Sequence, residues 1–356
     1  MMQKQEPLRH HFLPVFFLKK WAGTDGRLVE FSKPYKNIVR PRRTHPKGTG
    51  FIDRLYAIEG FAGELSYEVE RSFLSPVDSR ASTALEAMVA GNQPSPAERD
   101  AWARFMMSLL MRMPTEINLL KGVVQDIDRR IAGGIGQMLL RHVPVDYHGA
   151  IEQAFVEYKR EAQERLTQNI MRVLSSDDIV PLISAMHWDL IDLAASPNEL
   201  LVSDRPVIVH RDALPGSETT IALPVGPRNL FVAATKPGLL AELRRVPPKK
   251  ITSSVNADIV AGASRLIYGN NDRQLAFIQN RMGTNNEPSI VATILFNAGL
   301  DVAHYTETIA SFEDDDLRNR VVAAITEHQH HDAVQPLDLR LAPALSTRSS
   351  NKSLDD

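Results

Sequence analysis

Three side chains far apart in the chain have the types needed to hold or attack an anionic group: His11, Arg112 and Asp204. An imidazole exchanges a proton near neutrality. A guanidinium offers a planar fork that matches a carboxylate or a phosphate. A carboxylate holds a cation or serves as acid or base. Each residue also has a structural explanation. His11 follows His10 in RHHFLPVFFLKKW (Arg9 to Trp21), where Phe12, Val15, Phe16 and Leu18 can pin the segment to a core while a histidine bonds to backbone. Arg104, Ser108 and Arg112 are spaced four apart, so Arg112 can equally complete a salt bridge on a helix face. Asp204, in LLVSDRPVIV, lies between two β-like runs ahead of Pro206 and can tie its own turn. Neighbouring residues of an extended segment point opposite ways, so His10 and His11 do not chelate one ion together.

A divalent metal ion would need more carboxylates. Glu59 and Glu70 are the candidates to join Asp204 as ligands. The corresponding activity is that of a metal-assisted phosphoester hydrolase or nuclease, with His11 as general base or ligand and Arg112 stabilising the transferring phosphate. EHQHHD (Glu327 to Asp332) is metal-like in composition but lacks the spacing of a closed site. Met106, Met107, Met111 and Met113 read as core-fillers. HExxH, GxxxxGK[ST], GxSxG and GxGxxG do not occur, which removes the standard forms of several enzyme classes. The chain has no cysteine, so disulfides and thiolate chemistry are excluded. The remaining reading is a domain that binds a small molecule or a protein partner.

The formal net charge of -2 gives no global field favouring nucleic acid or a membrane. Locally, Lys33, Lys36, Arg40, Arg42, Arg43 and Lys47 occur with no acid between Phe31 and Lys47, and three prolines interrupt them. A positively charged loop is expected there. Arg40, Arg42, Arg43 and Lys47 are its candidate nucleic-acid contacts. The start of the chain lacks the apolar centre of a signal peptide, and FLPVFFL is too short to span a bilayer. A soluble cytoplasmic protein without membrane contact is the expectation.

The elements that must position these residues follow from periodicity. RLVEFSK (27–33) alternates like a short strand. Helices are expected at 78–89, from Ser95 through Met113, at 115–128 and at 147–173. The second starts with a capping box formed by Ser95 and Glu98. Trp102, Phe105, Met106, Leu109, Leu110 and Met113 form its buried face. From His187 the texture changes to short β-like runs, giving an antiparallel sheet over about 187–235. Helices return at 253–265 and 273–279. The fold class is α+β, predominantly helical with a smaller antiparallel sheet. The domain would run from 8 to 282, with its helical part at 77–186, its β-rich part at 187–235 and further helices to 282. A helical extension at 283–340 and a flexible tail at 341–356 complete the chain.

Four short motifs occur in order: HFLP (His11 to Pro14), RMP (Arg112 to Pro114), HWDLI (His187 to Ile191) and SDRP (Ser203 to Pro206). Their order and spacing resemble the bacterial DUF4238 family over about 8–282, with LPVGPRNLFV and VNADIVAGASRLIYG as its later elements. Phe12 supplies the aromatic that follows the first histidine in that family, and Tyr56, Glu59 and Glu70 fall where it often carries an aromatic and an acid. The resemblance points to His11, Arg112 and Asp204 as site residues and implies no particular reaction.

Overall fold

The structure is a computed structural model that describes residues 9–35, 37–56, 74–122, 153, 157, 177, 179–211, 218–285 and 289–292. The expected helix at 147–173, the EHQHHD segment, Glu59, Glu70 and most of the C-terminal extension and tail lie outside the described residues.

The N-terminal segment is pinned to a core. Strand β1 (Arg9–His11) pairs antiparallel with β4 (Phe51–Asp53), placing His11 opposite Phe51. The chain then turns at Pro14 into a single helical turn, α1 (Val15–Leu18), continued by a 3-10 turn over Lys19–Trp21. Phe12, Leu13, Phe17, Leu18 and Trp21 are buried. Helical rotation makes Phe17 the fully covered ring, while Phe16 is only partly buried against the same cluster. Both pack on Phe105, at 5.3 Å from Phe16 and 5.8 Å from Phe17.

The basic stretch is a β-hairpin, not a loop. β2 (Leu28–Tyr35) pairs with β3 (Ile38–Thr44), and Asn37 turns the chain with φ 57. The prolines are tolerated because of where they fall. Pro34 lies at a register shift, and Pro41 lies on β3, the edge of a four-stranded antiparallel sheet ordered β3-β2-β10-β6. Val39 is buried, and Arg42 faces Glu30 in register. Packing and cross-strand charge therefore override the loop-like composition.

The helices follow their sequence signals. α2 spans Ser75–Val89, and α3 spans Pro96–Met111 with the capping box of Ser95 and Glu98 formed in full. A further helix, α4, covers 114–122, and α5 spans Val180–Ala185. Trp102 and Phe105 on α3 are fully buried, and Trp102 meets Phe231 edge-on at 5.5 Å.

The expected sheet at 187–235 forms, with one exchange. β5 (His187–Asp192), β7 (Ile208–Arg211), β8 (Thr219–Gly226) and β9 (Asn229–Ala234) make an antiparallel sheet ordered β5-β9-β8-β7. The intervening β6 (Val202–Ser203) instead joins the hairpin sheet by pairing with β10 (Leu266–Gly269). Two helices lie between β9 and β10: α6 (Pro237–Arg245) and α7 (Pro248–Ala261). The expected helix at 253–265 thus starts earlier, at a proline suited to a first turn, and stops at Gly262. The apolar run LIYG beyond it becomes the buried strand β10. α8 (Leu275–Gln279) follows. Helices and antiparallel sheets together make an α+β fold.

Candidate functional site

The HH doublet divides its work, as opposite faces of a strand require. His10 is buried, stacks on Tyr56 at 5.1 Å and accepts a hydrogen bond at Nδ1 from the Tyr56 backbone N–H at 3.3 Å. It anchors β1 to the segment after β4. His11 packs on Phe51 at 5.5 Å, and its Nε2 is buried without a hydrogen-bond partner. Burial holds its pKa below the usual imidazole range. The Lys47 backbone opposes that shift, while Arg112 and Arg9 add to it. The Arg112 charge is thus felt at His11, and burial favours the neutral imidazole.

Arg112 ends α3 at its C-cap and is 0 % exposed. Its Nη1 donates to both carboxylate oxygens of Asp78, at 3.0 and 3.2 Å. Its Nε and Nη2 are buried with no partner. These two N–H groups form the parallel edge of the guanidinium that grips a carboxylate or phosphate side-on. Asp78, in the first turn of α2, is pushed toward higher pKa by burial and pulled back by Arg112. Asp78 was not singled out from the sequence. Its only signal there is an acid in the first turn of a helix.

Asp204 is buried and has three backbone donors. Oδ1 accepts from Ser264 N–H at 2.9 Å; Oδ2 accepts from Arg265 at 2.6 Å and Leu266 at 3.0 Å. Its own N–H donates to the Leu266 carbonyl at 2.9 Å. The carboxylate thus ties the α7–β10 turn to β6. Burial pushes its pKa up to about 6, against the pull of the three N–H groups and Arg205.

The RMP and SDRP motifs meet through their neighbours: Arg205 Nε approaches Met113 Sδ at 3.4 Å. Arg205 Nη2 also lies 3.5 Å from Glu116, a fully buried acid on α4. Glu116 accepts from Ser289 Oγ at 2.6 Å and from Val291 N–H at 2.9 Å. Its pKa is raised by burial, against Arg205 and these donors. A second network links exposed Arg42 to buried Glu30, Thr49 and Tyr268. Arg42 forks onto Glu30, Thr49 donates to Glu30, and the Thr49 and Tyr268 hydroxyls are 3.0 Å apart. Burial raises the Tyr268 pKa well above its normal value. Neither network was anticipated, because its members are spread through the chain and no local spacing marks them.

All four basic candidates, Arg40, Arg42, Arg43 and Lys47, are exposed, and two of them are ion-paired, Arg42 with Glu30 and Arg43 with Asp25. Among the described residues no group of three His, Cys, Asp or Glu could hold a metal ion. The HWD motif lines a cleft of about 530 Å³ beside α6. Arg99 in that cleft stacks on Trp188 at 3.8 Å and donates to the Ser184 and Met186 carbonyls, and Arg244 forks onto Asp189. Its charged groups are thus occupied, while the Arg112 fork is not.

The geometry defines an α+β protein with a buried guanidinium that is partnered on one side only. Among the described residues no helix is long and apolar enough to cross a membrane. The chain belongs to the DUF4238 family, described as a "Protein of unknown function (DUF4238)", whose profile matches residues 9–273. No curated protein and no solved structure matches the chain.

Proposed function

We propose that the protein binds a ligand through an anionic oxygen pair, a carboxylate or a phosphate, gripped by Arg112 Nε and Nη2 with His11 alongside. One observation carries this reading: Arg112 is fully buried with that donor edge unpartnered. Leaving a buried donor unmade costs about 1–3 kcal/mol, more on a charged group, so the edge has a strong drive to find an acceptor. Asp78 holds the guanidinium from its other side and so fixes the direction of the fork. Asp204 supports the site from a distance by securing the SDRP turn, whose Arg205 abuts Met113.

The competing occupant is a buried water, which would satisfy the same donors without function. Titration separates the two. Inorganic phosphate and acetate, added separately to the full chain, should raise the thermal midpoint as any ligand of the native state does. Arg112→Lys keeps the charge but loses the fork, and should weaken the response about tenfold or more. If neither anion moves the midpoint of the native protein, the site holds water and the proposal fails. The metal-assisted hydrolase, with Asp204 and Glu59 or Glu70 as cation ligands, draws support only from the nearness of His11 to Arg112. The nucleic-acid reading keeps Arg40, Arg42, Arg43 and Lys47, all exposed, as its contacts. In this scheme residues 8–282 act as one predominantly helical domain in a cytoplasmic protein, followed by the extension at 283–340 and the tail at 341–356. The hydrogen bond from Lys33 Nζ to the Met282 carbonyl at 2.7 Å holds residue 282 to this domain, and the bonds of Ser289 and Val291 to Glu116 carry its packing beyond that point.

A further inference from the structure

We propose that the cleft between α6 and β5 binds a small monocarboxylic acid with an apolar body, its carboxylate on Arg99 Nη1 and its body against Leu240 and Trp188. This site is separate from the Arg112 fork and does not depend on it.

The cleft, of about 530 Å³, falls within the size range of small-molecule sites. Pro237, Leu240, Ala241 and Arg244 are spaced three and four apart, so one face of α6 lines it. The stretch from Ala185 to Asp189, where α5 passes into β5, and Arg99 near the start of α3 also line it. Trp188 is held from several sides. Its Nε1 donates to the Ile183 carbonyl at 3.0 Å, Phe231 meets the ring edge-on at 5.2 Å, and the Arg99 guanidinium lies 3.8 Å from the ring centre. A lining already fixed in this way spends little binding energy on ordering.

Charge points to a monoanion. Arg99 Nε and Nη2 donate to the Ser184 and Met186 carbonyls. Those contacts cap the end of α5 and orient the guanidinium, but they are neutral and leave the two N–H groups of Nη1 over. Among the described residues Arg99 has no carboxylate partner, and burial works against its charge. The other cation in the lining, Arg244, is already forked onto Asp189. Arg99, Arg244 and Asp189 therefore sum to one positive charge. A carboxylate neutralises it, and a phosphate dianion overshoots it.

The apolar lining sets the rest of the ligand. No residue of α6 is buried, and Leu240 is left half-buried at the cleft. An aliphatic or aryl body lying on Leu240 and Trp188 would remove that surface from water, whereas a bare acetate would leave it wet.

The test is an NMR titration of the full chain with benzoate, acetate and benzamide, read at the indole N–H of Trp188. Benzoate should bind about tenfold more tightly than acetate, through burial of its ring. It should bind about fivefold more tightly than benzamide, its uncharged counterpart, a modest factor because Arg99 is partly exposed. These comparisons need no variant. Ala241→Glu brings a carboxylate into the cleft from an exposed helical position, and should weaken benzoate about fivefold or more without unfolding the chain. Arg112→Lys should leave benzoate affinity unchanged. Equal affinity for benzoate and benzamide, or for benzoate and acetate, overturns the proposal. Benzoate binding that survives Ala241→Glu and is lost in Arg112→Lys also overturns it and assigns the acid to the Arg112 fork. An unmoved Trp188 indole with all three probes overturns the cleft site alone, since the Arg112 reading is decided by its own titration with phosphate and acetate.

Discussion

Removing the Asp204 carboxylate should cost folding stability before it costs binding. Three backbone N–H groups converge on that carboxylate at 2.6–3.0 Å. In Asp204→Ala all three lose their acceptor. At about 1–3 kcal/mol for each buried donor the loss would be roughly 3–9 kcal/mol. Two features bring it toward the low end. The donors lie in a partly exposed turn, and the carboxylate's own burial works against it. An expected loss of about 3 kcal/mol follows. Asp204→Asn keeps one acceptor oxygen and should lose clearly less. The difference should also depend on pH. Burial puts the folded pKa at about 6, above the unfolded value of about 3.9, so the native state binds the extra proton between these values. Stability referable to Asp204 is therefore fullest below about pH 4 and falls as pH rises toward 6, by up to roughly 3 kcal/mol. Asp204→Asn should lack that slope. Urea unfolding followed by circular dichroism at several pH values measures both effects. If Asp204→Ala unfolds at the wild-type midpoint while acetate and phosphate no longer bind, Asp204 belongs to the site rather than to the turn, and the structural account is wrong.

Phe17→Ala should lose about 3–5 kcal/mol, since the ring is fully buried between Trp21 and Phe105. Phe16→Ala should lose only roughly 1–2 kcal/mol, because that ring is partly exposed; thermal melts that rank the two the other way refute the placement of α1. Glu116→Ala leaves Arg205 without its buried acid and frees Ser289 and Val291. A loss of about 3 kcal/mol is expected in urea unfolding, and a change under about 1 kcal/mol would show that this network contributes little.

Local signals carried the elements whose stability is local. The capping box at Ser95 and Glu98 and the apolar stripe from Trp102 to Leu109 mark α3 within a residue or two, because caps and helical periodicity act within a few turns. The alternating runs after His187 mark β5, β8 and β9 for the same reason. Where the outcome depended on distant partners, local reading went astray. The basic stretch at 33–47 has a loop's composition, yet Glu30 across from Arg42 and the core beneath Val39 make it a strand. ELLVSD and PVIVH read as two runs of one sheet, yet β6 leaves that sheet for β10, where Asp204 fastens it to the turn at 264–266.

The site was legible in the types of its residues and not in their partners. His11 and Arg112 stand out as chemistry-bearing, and the Arg112 charge is felt at His11. What makes Arg112 a candidate, however, is the combination of Asp78 on Nη1 and nothing on Nε and Nη2. Asp78 lies 34 residues away on another helix, so no spacing rule could pair them. The same three-dimensional information separates the two histidines. A strand turns adjacent side chains to opposite faces and so gives them different surroundings. His10 spends its Nδ1 on the Tyr56 backbone, while His11 keeps Nε2 unmade. Anchoring and function therefore do not compete for the RHHFLP segment. The packing of Phe12, Leu13 and Phe17 fixes the backbone. That fixed backbone keeps the His11 Nε2 buried and unpartnered, a state that a mobile chain end would lose to water.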